Sequence, residues 1–384
     1  TLAQDGADAV TATLRANPGS AGQIATLIMG ADAAWNASPG PVKANPIPQR
    51  ASVSAAHIDS IAALFASGEK TVLLLEHDAL TPAALESASR ISAKTGARLI
   101  TGTFPARIDG GPGAVQVERM PYFPEQILAT LEGTRNLILV GAQAPASFFA
   151  YQNLSGRPIP EGCSTHTLAR IDEDAAIALE QLAQSLQAAT APISRFEKVA
   201  LPKPSGPLNT RSISQAVAAT LPEGAIVATD SGGGNAAYPL CQQAAANSWL
   251  SLTGGSIGQG GPAATGAALA CPDRPVLALL GDGGAGYTLQ CLWTQARENL
   301  NVTTVIYANR KYNILNVEYA RLGVTDVGAV AASLFDIGNP ELDWVAIARG
   351  MGVPGAVANT AEELCILLER SYTEPGPFLI QAQC

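Results

Sequence analysis

The sequence predicts an α/β protein with two doubly wound parallel-sheet domains, and three observations predict it. Short apolar strands alternate with helical stretches over most of the 384 residues, the pattern of a parallel sheet covered by helices on both faces. Two Pro-rich connectors, NASPGPVKANPIPQ (37–50) and ATAPISRFEKVALPKPSGPL (189–208), interrupt that alternation. Glycine clusters follow two strands of the C-terminal half, SGGGN after AIVATD and GDGGAG after an apolar run.

The elements follow in order. Residues 6–18 read as a helix ended by Pro18, and IATLIM (24–29) as a strand. AHIDSIAALFASG is helical and TVLLLEHD a strand. TPAALESASRISAKTG is a helix with Thr81 as N-cap and Pro82 at its first position. ARLITG and NLILVG are strands, YFPEQILATLEG a helix, and residues 173–188 an Ala/Leu/Gln helix. Beyond 209, SISQAVAATLP is helical, AIVATD a strand, and LTGGSIGQGGPAATG a Gly-rich turn that opens a helix. Residues 275–315 give strand, GDGGAG turn, helix and a second strand ending in Asn309. A loop leads to the helices DWVAIARGMG and TAEELCILLERSY and the last strand, PFLIQAQ.

Composition narrows the function. The net charge of −9 argues against a nucleic-acid surface. No apolar run reaches membrane-spanning length. Cys163, Cys241, Cys271, Cys291, Cys365 and Cys384 are scattered without a CxxC, which reads as free thiols in a reducing, cytoplasmic setting. His57, His77 and His166, the four tryptophans, and Arg195, Lys198 and Lys203 read as capping, packing and solvated residues respectively.

GDGGAG matches GxGxxG through Gly281, Gly283 and Gly286. A nicotinamide dinucleotide would want an acid at the end of the next strand, where Asn309 stands. Asp282 would also repel the pyrophosphate unless a cation lay between them. Asp282 and Asn309 end consecutive parallel strands, so their oxygens can converge on one sheet edge. Hard oxygens of this kind suit Mg²⁺, and the N–H groups of Gly283 and Gly284 can hold phosphate oxygens. A tight turn with Asp282 merely capping is the structural alternative. GGSIG (254–258) fits GxSxG, but every histidine lies upstream of Ser256, the wrong order for an α/β-hydrolase.

With GDG at 281–283 and Asn309 placed 27 residues after Asp282, the chain resembles the thiamine-diphosphate-dependent 2-oxo-acid decarboxylases and acetolactate synthases. The resemblance implies thiamine diphosphate and Mg²⁺ as cofactors, the metal held by Asp282, Asn309 and the carbonyl of Lys311. DSGGGN (230–235) would place Ser231 and Gly232 at the diphosphate. GGSIGQGGPAATGAALA resembles the family's Gly-rich segment; Ile257 would wedge the cofactor into a bent form, and the Gly255 carbonyl would face its aminopyrimidine. Residues 1–40 would be the C-terminal remnant of a pyrimidine-binding domain, 41–188 a central α/β domain, and 189–384 the diphosphate-binding domain.

The implied reaction is decarboxylation of a 2-oxo acid, with release of an aldehyde or carboligation to an acyloin or acetohydroxy acid. A homodimer or homotetramer with the site between subunits is implied too. Ala308 replaces the first of two frequent asparagines, Gln259 a frequent aromatic, and Asn313 a frequent glycine. The last two lie near the expected substrate pocket and leave the substrate open, as do residues 311–319, expected on the product side. VGAQAPASFFAYQ is not the arginine-containing stretch of flavin-binding members, so FAD is not expected. The family's catalytic glutamate is expected upstream of Thr1, and none of Glu69, Glu76 and Glu86 is assigned to it. The rivals are a nicotinamide-dinucleotide dehydrogenase built on GDGGAG and a catalytically inactive homologue acting as a regulatory subunit.

Overall fold

The computed structural model describes residues 2–13, 24–38, 40–47 and 49–384. Two compact units emerge, one of residues 1–103, 116–150 and 154–194, the other of 104–115, 151–153 and 195–384. The strands among the described residues are β1 (Thr71–Leu75), β2 (Arg98–Thr101), β3 (Ile108–Gly110), β4 (Glu118–Arg119), β5 (Asn136–Val140), β6 (Ser164–Ala169), β7 (Ala225–Thr229), β8 (Asn247–Leu250), β9 (Val276–Gly281), β10 (Val302–Ala308), β11 (Gly355–Ala358) and β12 (Phe378–Gln383).

The first unit holds a parallel sheet of order β4-β2-β1-β5-β6. The second holds β11-β12-β10-β9-β7-β8-β3, parallel except for β3 against β8. Strands β1, β5 and β7 are buried at every position, as a sheet covered on both faces requires. In the second sheet Val227, Leu277, Leu279, Val305 and Ile380 enter one core. Their neighbours Ile226, Ala278, Leu280, Ile306 and Leu379 enter the other, the period-two alternation of a strand. The order in which strands are added reverses between the parallel β7 and β9, since β8 lies outside β7 and β10 outside β9. Doubly wound sheets bind ligands outside the carboxyl ends of strands at such a switch point.

Several expectations change. IATLIM is not a strand: residues 24–30 have no regular structure, because no neighbouring strand among the described residues pairs with them. The first helix is Leu2–Thr13, and Pro18 lies outside the described residues. Thr81 precedes the helix Pro82–Thr95 without a side-chain cap; its hydroxyl donates back to the Asp78 carbonyl at 2.9 Å. The loop after Asn309 contains helices Asn313–Arg321 and Ala329–Phe335. Lys203 pairs with Glu369 at 2.5 Å, and Arg195 donates to the Gly113 carbonyl at 2.7 Å. All six cysteines are free. Among the described residues no helix is long and apolar enough to cross a membrane.

Candidate cofactor site at the carboxyl ends of the second sheet

β7 runs into Asp230 and the short helix Gly232–Asn235, whose N-cap Ser231 accepts the Gly234 N–H at 2.9 Å. Open space surrounds the point where Gly232 would carry a Cβ, whereas a Cβ at Gly233 would meet the Tyr307 ring at 2.9 Å. β9 runs into Asp282, which is buried. Its Oδ1 accepts the Gly283 N–H at 2.9 Å and its Oδ2 the Arg310 N–H at 2.6 Å. Burial pushes this carboxyl above its ordinary value, opposed by those N–H groups and the Arg310 charge.

β10 runs into Asn309, whose Oδ1 accepts the Lys311 N–H at 3.0 Å. Arg310 sits at φ +57°, and its guanidinium reaches Gln383 at 2.9 Å and Glu341 at 3.2 Å. Lys311 faces Asp336 in an isolated bridge built by the Tyr312 N–H on the Phe335 carbonyl and the Ile337 N–H on the Arg310 carbonyl. The Lys311 carbonyl takes no part in that bridge.

The Gly-rich loop closes the edge. Ile257 is 56% exposed, yet its Cγ2 lies 3.6 Å from the point where Gly284 would carry a Cβ. Asp230 Oδ1 lies 3.3 Å from that same point, and the Ser231 Cβ is 3.5 Å from the corresponding point of Gly281. Ser231, Gly232, Gly284, Asp282, Asn309, Lys311 and Ile257 thus gather at one edge, as their strand ends require. Two expected donors and acceptors are already engaged: the Gly283 N–H by Asp282, and the Gly255 carbonyl by the Ile257 N–H at 2.9 Å. A phosphate at Gly283 would have to displace the Asp282 contact.

Asp230, Arg310 and Thr288 went unread in the sequence. A signal existed for Asp230, an acid at a strand end before a glycine cluster, as Asp282 is. Tyr312 was read only as part of 311–319; its ring lies 2.5 Å from where Gly283 would carry a Cβ. Gln259 does not reach outward: its Oε1 accepts the Thr253 N–H at 3.1 Å and the Thr253 hydroxyl at 2.9 Å. Asn313 begins the helix Asn313–Arg321 and is exposed. The histidines belong to the first unit; His57 meets the Thr167 carbonyl at 2.7 Å and His77 the Gly141 carbonyl at 2.8 Å. Ser256 donates to the Thr253 carbonyl at 3.1 Å.

Among the described residues no three of His, Cys, Asp and Glu converge as a metal cluster. The oxygens expected on the cation, those of Asp282, Asn309 and Lys311, are one carboxylate, one side-chain amide and one backbone carbonyl. That hard set, incomplete by itself, fits a Mg²⁺ completed by phosphate oxygens and water. The open backbone at Gly232 and the exposed apolar Ile257 beside Gly284 fit a diphosphate joined to a ring system.

Comparison with known proteins agrees. Residues 232–382 match the family model described as thiamine pyrophosphate enzyme, C-terminal TPP binding domain. The acetolactate synthase large subunit-like protein IlvX of Mycobacterium tuberculosis is 44% identical over 378 residues, 98% of this chain and 72% of that protein. Benzoylformate decarboxylase of Pseudomonas aeruginosa is 29% identical over 315 residues, 77% of this chain and 54% of that protein. Among solved structures, the thiamine diphosphate-dependent 4-hydroxybenzoylformate decarboxylase of Rhodococcus jostii RHA1 shares the fold, with a TM-score of 0.70 at 24% identity over 88% of this chain and 66% of that one. The chain belongs to the thiamine pyrophosphate-dependent enzymes, in the branch resembling acetolactate synthase and benzoylformate decarboxylase. Thiamine diphosphate is that family's cofactor, and Mg²⁺ its usual metal.

Proposed function

We propose that this chain binds thiamine diphosphate through Mg²⁺ and serves the decarboxylation of a small 2-oxo acid, with release of an aldehyde or carboligation to a second carbonyl compound. The observation that carries the reading is the approach of the β9 and β10 tips, with Asp282 Oδ2 against the Arg310 N–H at 2.6 Å. Asp282, Asn309 and the Lys311 carbonyl would hold the cation. Burial leaves Asp282 poorly screened, which strengthens its attraction for a divalent ion. Ser231, Gly232, Gly283 and Gly284 would border the diphosphate, with Gly232 letting a phosphate approach the backbone. Ile257 would prop the ring system, with the Gly255 carbonyl on the pyrimidine side. When bound, the thiazolium ring supplies the carbon nucleophile and electron sink for loss of carbon dioxide. No acid or base of this chain is assigned to the chemistry.

The same reading takes 1–40 as the end of a pyrimidine-binding domain, 41–188 as the central domain and 189–384 as the diphosphate-binding domain. It places the complete site between subunits of a homo-oligomer.

The test is a tryptophan fluorescence titration with thiamine diphosphate plus Mg²⁺, with each alone, and with NADH. Saturable quenching that needs both cofactor and metal is expected. Quenching by NADH alone would overturn the reading in favour of a dehydrogenase. Carbon dioxide release is then followed with pyruvate, 2-oxobutyrate and benzoylformate. Tight cofactor binding without release from any 2-oxo acid would favour the inactive homologue.

A further inference from the structure

We infer that Asp230 is a positioning residue for this site: it ties the loop carrying Ile257 to the tip of β7 through the N–H groups of Gly258 and Gly260, and so holds Ile257 over Gly284. The inference rests on the cofactor reading and adds a residue to it.

Both N–H groups converge on one oxygen, Asp230 Oδ2, each at 3.0 Å. The carbonyl of Gly258 accepts the Thr288 hydroxyl at 2.6 Å. Gly258 therefore has both polar groups committed, one toward β7 and one toward the segment after GDGGAG. It sits at φ +97°, and a Cβ there would come within 2.8 Å of the Tyr287 Cβ, so only glycine fits the brace.

Ile257 cannot hold its own place. It is 56% exposed, and its loop contains left-handed Gly254, Gly255 and Gly258, the residues freest to move when untied. The Gln259 side chain shapes the loop but, among the described residues, bonds only to Thr253 and Ser251 within the same stretch. Among the described residues, apart from the first turn of the helix Gly260–Ala270, the hydrogen bonds from 254–260 to other elements run to Asp230 and Thr288. Asp230 is 8% exposed, and its second oxygen, Oδ1, has no hydrogen-bond partner among the described residues. Burying a carboxylate is costly, and here the paired oxygen is spent wholly on this loop. An amide oxygen could accept the same two N–H groups, so the clamp needs an acceptor at this position and not a charge.

The experiment compares wild type with Asp230→Ala, Asp230→Asn, Thr288→Val, Ile257→Ala and the Asp230→Ala/Ile257→Ala pair. Amide exchange across 251–262 is read first, without cofactor. Asp230→Ala should speed it about tenfold or more and Thr288→Val less, while Asp230→Asn stays within about threefold of wild type. Affinity for thiamine diphosphate plus Mg²⁺ is read next. Asp230→Ala should weaken it about tenfold, Asp230→Asn should restore it, and Asp230→Ala should add little in the Ile257→Ala background, because coupled residues are not additive. Exchange unchanged in Asp230→Ala, a folded Asp230→Asn that fails to rescue, or additive losses would each overturn the inference. Should Asp230→Ala not fold, Asp230→Asn and Thr288→Val still decide it. A wild-type chain that binds no cofactor would overturn the reading of the site, and this role with it, whatever the exchange data say of the clamp.

Discussion

The Arg310 N–H donates to Asp282 Oδ2 at 2.6 Å, joining the loop after β10 to the tip of β9. Arg310 adopts φ +57° to present that N–H, and its guanidinium is anchored on Gln383 at the end of β12. Three strand ends are thus set around one buried carboxylate. Asp282→Asn keeps the shape and loses the charge. It should lower Mg²⁺-dependent affinity for thiamine diphosphate by about 100-fold or more, since even partners one shell out from a metal are worth about 10–100-fold, in a calorimetric titration. The melting temperature without cofactor should fall, since the amide nitrogen would face one of the two N–H groups that Asp282 accepts and leave that donor unpaired. Affinity equal to wild type would take Asp282 out of the cation site.

Gly232 and Gly234 lie two residues apart and should respond in opposite ways. A Cβ at Gly234 would meet Leu279 Cβ and the Leu279 carbonyl, both at 2.9 Å. Gly234→Ala should cost about 1–3 kcal/mol through overpacking. Nothing lies within 4 Å of a Cβ at Gly232, so Gly232→Ala should stay within about 0.5 kcal/mol of wild type while weakening cofactor binding. Urea denaturation beside the titration separates the two; a Gly232→Ala chain that binds normally would argue against a phosphate there.

In the first unit Arg50 and Asp78 form an ion pair with only 3% and 11% of the side chains exposed. Asp78 Oδ2 also accepts the Ala175 N–H at 3.0 Å. Asp78→Ala would strand the guanidinium, and loss of one partner from a buried pair costs about 3–5 kcal/mol. Amide exchange in β1 should accelerate accordingly, with little relief from added salt. Protection unchanged in β1 would mean that Arg50 finds another acceptor.

Glu76, at the end of β1, has its carboxyl raised by burial, against the opposing effects of His77, the Gly102 N–H and Arg119. With the folded value above the unfolded one, the unfolded chain releases its proton first as pH rises. Glu76 therefore subtracts stability from the ordinary glutamate range upward, with the full cost present above its raised value. Glu76→Gln should melt higher than wild type near neutral pH, and the gap should close on acidification to about pH 4. Melts at several pH values decide this; a gap that does not depend on pH would show that desolvation of Glu76 is not the cause.

The primary structure alone determined the alternating architecture, the glycine clusters and the placing of Asp282 and Asn309 just after two neighbouring strands. Those signals are local: apolar runs such as TVLLL and VLALL, a period of two or of 3.6, and a carboxylate at a strand end are visible without neighbours. It misread IATLIM, whose apolar residues look like a strand but find none to pair with among the described residues, and it passed over β3, β4, β6, β8 and β11. β3 owes its state to β8 across a long separation in the chain, with Ile108 opposite Trp249, and β8 in turn pairs with β7. Only the tertiary structure decided that Asp230 meets Gly258 and Gly260, that Thr288 meets Gly258, and that the Tyr312 ring lies on Gly283. These are contacts between loops, where hydrogen bonds and close approach, not hydrophobic periodicity, set the conformation, so no spacing in the chain announces them.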